Sequence, residues 1–182
     1  MAIFAFIEYM MRTLKLFFCL FLAISFNSNA QETDFTSEVA TYLESNGTLN
    51  QYEFAYDELL KMLGKQYPKS ESTANGWEFL ESNKEKAVAE IKKELVPIYQ
   101  QNFERSEIKE MTTFYRSPTG KQLTIDRSKM SAIQKEELNA FYNSDLGKKI
   151  LAKQPILAKE VSAASESWSR DLYETALSLL KE

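Results

Sequence analysis

Apolar side chains that step by three and four residues constrain this chain more than any other feature. Leu49, Tyr52, Tyr56, Leu59, Leu60 and Leu63 fall on one side of a helix with about 3.6 residues per turn. Val88, Ile91, Leu95, Ile98 or Tyr99, and Phe103 give a second such face, and Pro97 inside it is expected to kink the helix. A third stripe runs through Ile150, Leu157, Val161, Ala164, Trp168, Leu172 and Leu179, with Pro155 as the expected bend. Alternating runs of valine, isoleucine and threonine, the mark of a half-buried strand, are missing. The spacing therefore predicts an all-α fold, a compact helical bundle.

The punctuation fits the same fold. A short amphipathic stretch from Phe35 to Glu44 stops at Asn46-Gly47, and Gly64 is expected to end the next helix. Pro68 to Gly76 reads as a polar loop, after which Trp77 and Leu80 open a new segment. Ile108, Met111 and Tyr115 make a helix for which Ser106 is the expected cap. Ser131-Ala132-Ile133-Gln134 has capping-box spacing and starts a helix through Leu138, Phe141 and Tyr142. The last helix runs from about Asp145 towards Leu180. Lysine and glutamate alternate on the polar faces, as on solvated helices. No long linker or low-complexity segment breaks the chain, so residues 31–182 read as a single all-helical domain.

The first thirty residues follow other rules. Arg12 and Lys15 precede a short apolar run from Leu16 to Phe26, and Asn27-Ser28-Asn29-Ala30 ends it with small residues at Ser28 and Ala30. That is the layout of a cleavable signal peptide, with cleavage after Ala30. The apolar run is shorter than the roughly 20 residues of a spanning helix, although a retained anchor is the competing reading. Glu8 fits a signal poorly, which points to a native start at Met10 or Met11. Cys19 sits within the apolar run behind Phe17 and Phe18, where a lipid-attachment site wants small residues, so it is read as filler that leaves with the signal. Export to the periplasm or the external medium follows, with no membrane span after cleavage.

Composition closes several routes. Histidine is absent and there is one cysteine, which excludes a histidine-based triad, a zinc site with nitrogen ligands and a disulfide framework. The segment after Ala30 carries 20 basic against 25 acidic residues, a net charge of -5, which disfavours nucleic acid and anionic lipid. No cofactor or metal motif is present in the spacing.

One pattern recurs. Phe114-Tyr115-Arg116-Ser117-Pro118-Thr119-Gly120-Lys121 returns as Phe141-Tyr142-Asn143-Ser144-Asp145-Leu146-Gly147-Lys148, 27 positions later throughout. The match reaches outward through Glu110 with Glu137, Met111 with Leu138 and Leu123 with Ile150. Each copy places two aromatics at a helix end and a serine positioned to cap the next helix. Pro118 and Asp145 suit the first helical position. Gly120 and Gly147 then fall at the third, where glycine costs about 1 kcal/mol relative to alanine. Close approach of a neighbouring helix, or of the Phe-Tyr rings, is the expected reason. In a competing geometry the glycines end the first helix. The functional alternative is an anion site formed by Ser117, the amide at Gly120 and Lys121, with Ser144, Gly147 and Lys148 in the second copy.

The Phe-Tyr-x-Ser-x-x-Gly pattern, preceded by Leu95-Val96-Pro97-Ile98-Tyr99, resembles bacterial exported proteins of the domain of unknown function family 2059 (DUF2059). The likeness extends from about Val39 to Leu180 and includes the Tyr42-Leu43-Glu44-x-Asn46-Gly47 opening and Trp168-Ser169-Arg170-Asp171-Leu172-Tyr173. It implies an all-helical, exported bacterial domain and carries over no activity, catalytic residue or cofactor.

Three uses compete for such a domain. A non-enzymatic protein-interaction or structural module of the cell envelope would use tyrosine and tryptophan as anchors for a protein partner. For the stripe around Trp168 the choices are a second copy, giving a homo-oligomer, and burial within the monomer. A carrier would hold an apolar small molecule or lipid in a cavity among the eight tyrosines and six phenylalanines after Ala30. A hydrolase would need paired carboxylates, for which the recurring Glu110 and Glu137 are candidates. The first reading is the favoured one, with no catalytic residues assigned.

Overall fold

The computed structural model describes residues 34–181, and every regular element among them is helical. The segment read as a signal peptide lies outside the described residues. The chain divides into two units, Met1–Ser37 and Glu38–Glu182, and the buried core belongs to the second.

Helix α1 covers residues 34–45. It is followed by α2 (Thr48–Gln66), α3 (Ala74–Ser82), α4 (Lys84–Asn102), α5 (Arg105–Arg116), α6 (Pro118–Asp126), α7 (Ala132–Asn143) and α8 (Asp145–Leu180). A single 3-10 turn, Arg127–Lys129, links α6 to α7. The α1–α2 break falls at Asn46-Gly47, as the sequence indicates. Gly47 adopts φ 79°, a left-handed conformation that glycine takes without a steric penalty. The Asn46 side chain completes the turn by accepting the Thr48 N–H at 2.9 Å.

Helix α4 packs along α8, α2 packs on α4, and α3 packs on the far end of α8. Val39, Leu43, Ile91, Leu95, Ile108 and Met111 are fully buried. Leu63, Trp77, Leu80, Ala176 and Leu180 form an apolar cluster where α2, α3 and α8 meet. Buried polar tips are matched. Tyr56 Oη donates to the Leu80 carbonyl at 2.7 Å, and Trp77 Nε1 to the Tyr67 carbonyl at 3.1 Å. Trp168 Nε1 donates to the Ala87 carbonyl at 2.8 Å, and its ring meets Tyr52 edge-on at 5.2 Å. Trp168 is thus spent inside the monomer.

Four local expectations are corrected. The loop after Pro68 is shorter than expected: α3 starts at Ala74, so Gly76 is buried inside this helix, where a Cβ would meet the Leu179 carbonyl oxygen of α8. Gly64 does not end α2, which runs to Gln66 and closes with the Tyr67 N–H on the Leu63 carbonyl at 2.7 Å. Ser106 is not the cap of α5. Glu104 holds that position, and Glu107 folds back to accept the Glu104 N–H at 2.7 Å, as in a capping box. Leu179 leaves the buried stripe of α8, and Ala176 and Leu180 replace it. The physical reason is a change of neighbour: α8 faces α4 along part of its length and α3 at its end, so the buried face rotates. Pro97 and Pro155 lie inside α4 and α8, and both helices continue past them.

Candidate functional site

The two copies of the corner have the same geometry. Ser117 (φ -66°, ψ 164°) ends α5 and begins α6, and Ser144 (φ -67°, ψ 167°) ends α7 and begins α8. Ser117 Oγ accepts the Gly120 N–H at 3.1 Å, and Ser144 Oγ accepts the Gly147 N–H at 3.1 Å. The Lys121 and Lys148 amides donate to the carbonyls of Ser117 and Ser144 at 2.9 and 3.0 Å. The glycines therefore sit inside the second helix of each pair, not at the end of the first. The repeat also extends upstream, because the Glu104–Glu107 pair and the Ser131–Gln134 capping box are again 27 positions apart.

A backbone approach explains the glycines. A Cβ on Gly120 would overlap the Phe114 carbonyl oxygen and the Tyr115 Cα, and one on Gly147 would overlap the Phe141 carbonyl oxygen and the Tyr142 Cα. The close neighbour is the main chain of the preceding helix, not the aromatic rings. At each corner the turn is tight enough for one helix start to lie on the end of the helix before it.

The rings join the two copies instead. Phe114 and Phe141 stack with centroids 3.9 Å apart and planes 6° from parallel. Tyr115 and Tyr142 stand edge-on to their neighbouring phenylalanines, at 5.4 and 5.5 Å. Tyr115 meets Tyr42 of α1 edge-on at 5.9 Å, and Tyr42 meets Tyr99 of α4 at 5.4 Å. Burial pushes the Tyr42, Tyr99 and Tyr115 phenols above their ordinary value, and neighbouring tyrosines add to the effect. These hydroxyls stay neutral throughout the physiological range.

Two open clefts meet at this tyrosine group. One, of about 490 Å³, runs from Tyr42 and Tyr99 to Ile150, Leu157 and Val161 of α8. The other, of about 690 Å³, is bounded by Asn50, Gln51 and Phe54 of α2 and by Leu123 and Thr124 of α6. Asn46, Tyr115 and Tyr142 line both. The sequence signalled Tyr115 and Tyr142 through the repeat. It did not signal Tyr42, Tyr99, Asn50, Gln51 or Gln154 as a group. The available hints were the charge-free runs Ser45 to Tyr52 and Leu95 to Phe103, eight and nine residues long, in a chain that is 26% charged.

The other candidates lie apart from this arrangement. Lys121 and Lys148 are exposed, and Lys148 lies 3.9 Å from Asp145. Glu110 is exposed on α5, while Glu137 on α7 accepts a hydrogen bond from the buried Thr119 hydroxyl. Neither lines the tyrosine clefts. Among the described residues, no three acidic or cysteine side chains are grouped to hold a metal ion, and no helix is long and apolar enough to cross a membrane.

The family model described as "Uncharacterized protein conserved in bacteria (DUF2059)" matches residues 89–135 and residues 127–175. Each matched segment holds one copy of the corner. Leu95 to Tyr99 falls in the first and Trp168 to Tyr173 in the second, while the Tyr42 to Gly47 opening precedes both. No curated protein and no solved structure matches the chain. Over residues 89–175, which hold both copies of the corner, the chain matches the bacterial family DUF2059.

Proposed function

We infer that this protein is a non-enzymatic binding module of the bacterial cell envelope, exported by its first thirty residues, and that it recognises its partner in the tyrosine-lined clefts. The observation that carries this reading is the meeting of two open clefts at Tyr115 and Tyr142, the residues set in place by the duplication. Their volumes lie in the range of ligand sites, about 300–1,000 Å³. Phe54, 65% exposed beside Asn50 and Gln51, offers an apolar contact at the mouth.

The corners themselves serve as joints. Their serine hydroxyls are engaged with the glycine amides, and that use accounts for each residue without an anion. The carrier reading asks for an enclosed apolar cavity, whereas these clefts open to solvent and mix tyrosine and amide groups with aliphatic ones. The hydrolase reading loses support because Glu110 and Glu137 face no shared cleft here.

Affinity capture from the cell envelope tests the reading, using the wild type beside an Asn50→Ala/Gln51→Ala variant and mass analysis of proteins, glycans and small molecules. Envelope material retained by the wild type and lost by the variant is the expected result. Equal retention by both, or recovery of an apolar small molecule alone, would contradict it.

A further inference from the structure

The clefts differ from the rest of the surface in charge. None of the residues lining either one is charged, in a chain of which 26% is. The contrast is local. A third groove, of about 250 Å³ between α4 and α8, carries Lys86, Glu90, Glu94 and Asp171. Beside the smaller tyrosine cleft, Lys149 lies 5.9 Å from the Phe103 ring centroid but is paired with Glu107 at 2.6 Å. An ionic ligand would thus find no counter-charge in the walls to offset the water it gives up there.

The polar groups that replace charge are amides and phenols. Asn50 and Gln51 stand on one side and Gln154 on the other, all three exposed, and none makes a side-chain hydrogen bond to another described residue. Each amide both donates and accepts, as does each hydroxyl of a sugar. Between the amides lie Tyr115 and Tyr142, which combine an apolar ring with a polar tip. A pyranose has the matching surface, with C–H faces for rings and hydroxyl edges for amides.

We propose that the joined clefts bind an uncharged oligosaccharide, with Asn50, Gln51 and Gln154 bonding its hydroxyls and Tyr115 and Tyr142 contacting its rings. The inference rests on the binding-module reading above and names the class of partner. A peptide fits less well. The described residues contain no strand edge for main-chain pairing, and a docking helix needs an unbroken apolar groove, which these amides interrupt. Because the buried phenols remain neutral and the walls carry no charge, the affinity should be flat with salt and from about pH 5 to about pH 9.

Calorimetric titration of the purified full-length protein tests this directly. The probes are short uncharged oligomers of N-acetylglucosamine and of glucose, set beside an uncharged peptide and an acidic oligosaccharide. Binding of a neutral sugar is expected, insensitive to salt. Asn50→Ala/Gln51→Ala and Gln154→Ala should each weaken it roughly tenfold without changing the melting temperature, while Glu90→Gln in the charged groove leaves it intact. Absence of binding to either neutral oligomer, preference for the peptide or the acidic sugar, or full affinity in the amide variants would overturn the proposal. If the neutral sugars fail while the Asn50→Ala/Gln51→Ala variant still loses its envelope material, the sugar assignment falls and the binding module stands.

Discussion

At the scale of single residues, Ser117 and Ser144 perform the same task with the same atoms. Each hydroxyl accepts the amide of the third helical residue at 3.1 Å, one of the donors that a helix start otherwise leaves open. Ser117→Ala and Ser144→Ala should each lower stability by about 1 kcal/mol, read as a shift in the urea midpoint with unchanged slope. Unchanged midpoints in both would remove the capping role. The capping serines and the glycine positions were legible in the sequence because these are local rules. The cap of α5 was not, since Glu104 is an unusual capping residue and Ser106 looked the better one. The burial change at the end of α8 was also hidden: Leu179 continues the periodic stripe, but the neighbour that selects Leu180 is α3, distant in sequence.

At the scale of elements, the chain repeats a helix–corner–helix unit whose copies face each other. The capping pairs at Glu104–Glu107 and Ser131–Gln134 and the shared caps at Ser117 and Ser144 keep the 27-residue offset. Sequence periodicity gave the helices and the repeat, yet it carried no sign that Phe114 would stack on Phe141. That contact depends on how the α5–α6 and α7–α8 pairs dock. A double-mutant cycle measures it. Phe114→Leu and Phe141→Leu should show a coupling of about 1 kcal/mol, whereas strictly additive effects would mean that the rings do not support each other.

Ion pairs tie the same elements together. Glu38 on α1 accepts two bonds from Arg105 at 2.7 and 2.8 Å, and Lys109 adds a third contact at 3.3 Å. The Arg105 guanidinium holds the Glu38 carboxyl below its ordinary 4.5. Burial acts to raise Glu107, but bonds from Lys149 and from the Glu104 amide outweigh it, so this carboxyl is also lowered. A carboxylate depressed in the folded state stabilises it above the unfolded value, and the contribution is lost as pH falls through the folded value. Stability should therefore drop as pH falls below 4.5. A Glu38→Gln/Glu107→Gln variant should be less stable near neutrality and show a shallower acid slope. An acid slope equal to that of the wild type would show that these two groups do not set it.

At the scale of the whole compact unit, the joints and the clefts form one arrangement. Close backbone contact at the corners accompanies the stacking of Phe114 on Phe141, and the adjoining Tyr115 reaches the ring group of Tyr42 and Tyr99. The clefts were the least legible part of the sequence. Their walls come from α1, α2 and α4 to α8, and beyond Tyr115 and Tyr142 in the repeat only the charge-free runs before Glu53 and Glu104 marked them. Everything about the clefts depends on the joints holding their form. Urea unfolding of Gly120→Ala and Gly147→Ala tests this most directly. Alanine inside an ordinary helix gains about 1 kcal/mol over glycine; here its methyl group meets the preceding helix's main chain, so each variant should instead lose roughly 3 kcal/mol. A gain in stability at both positions would contradict the account.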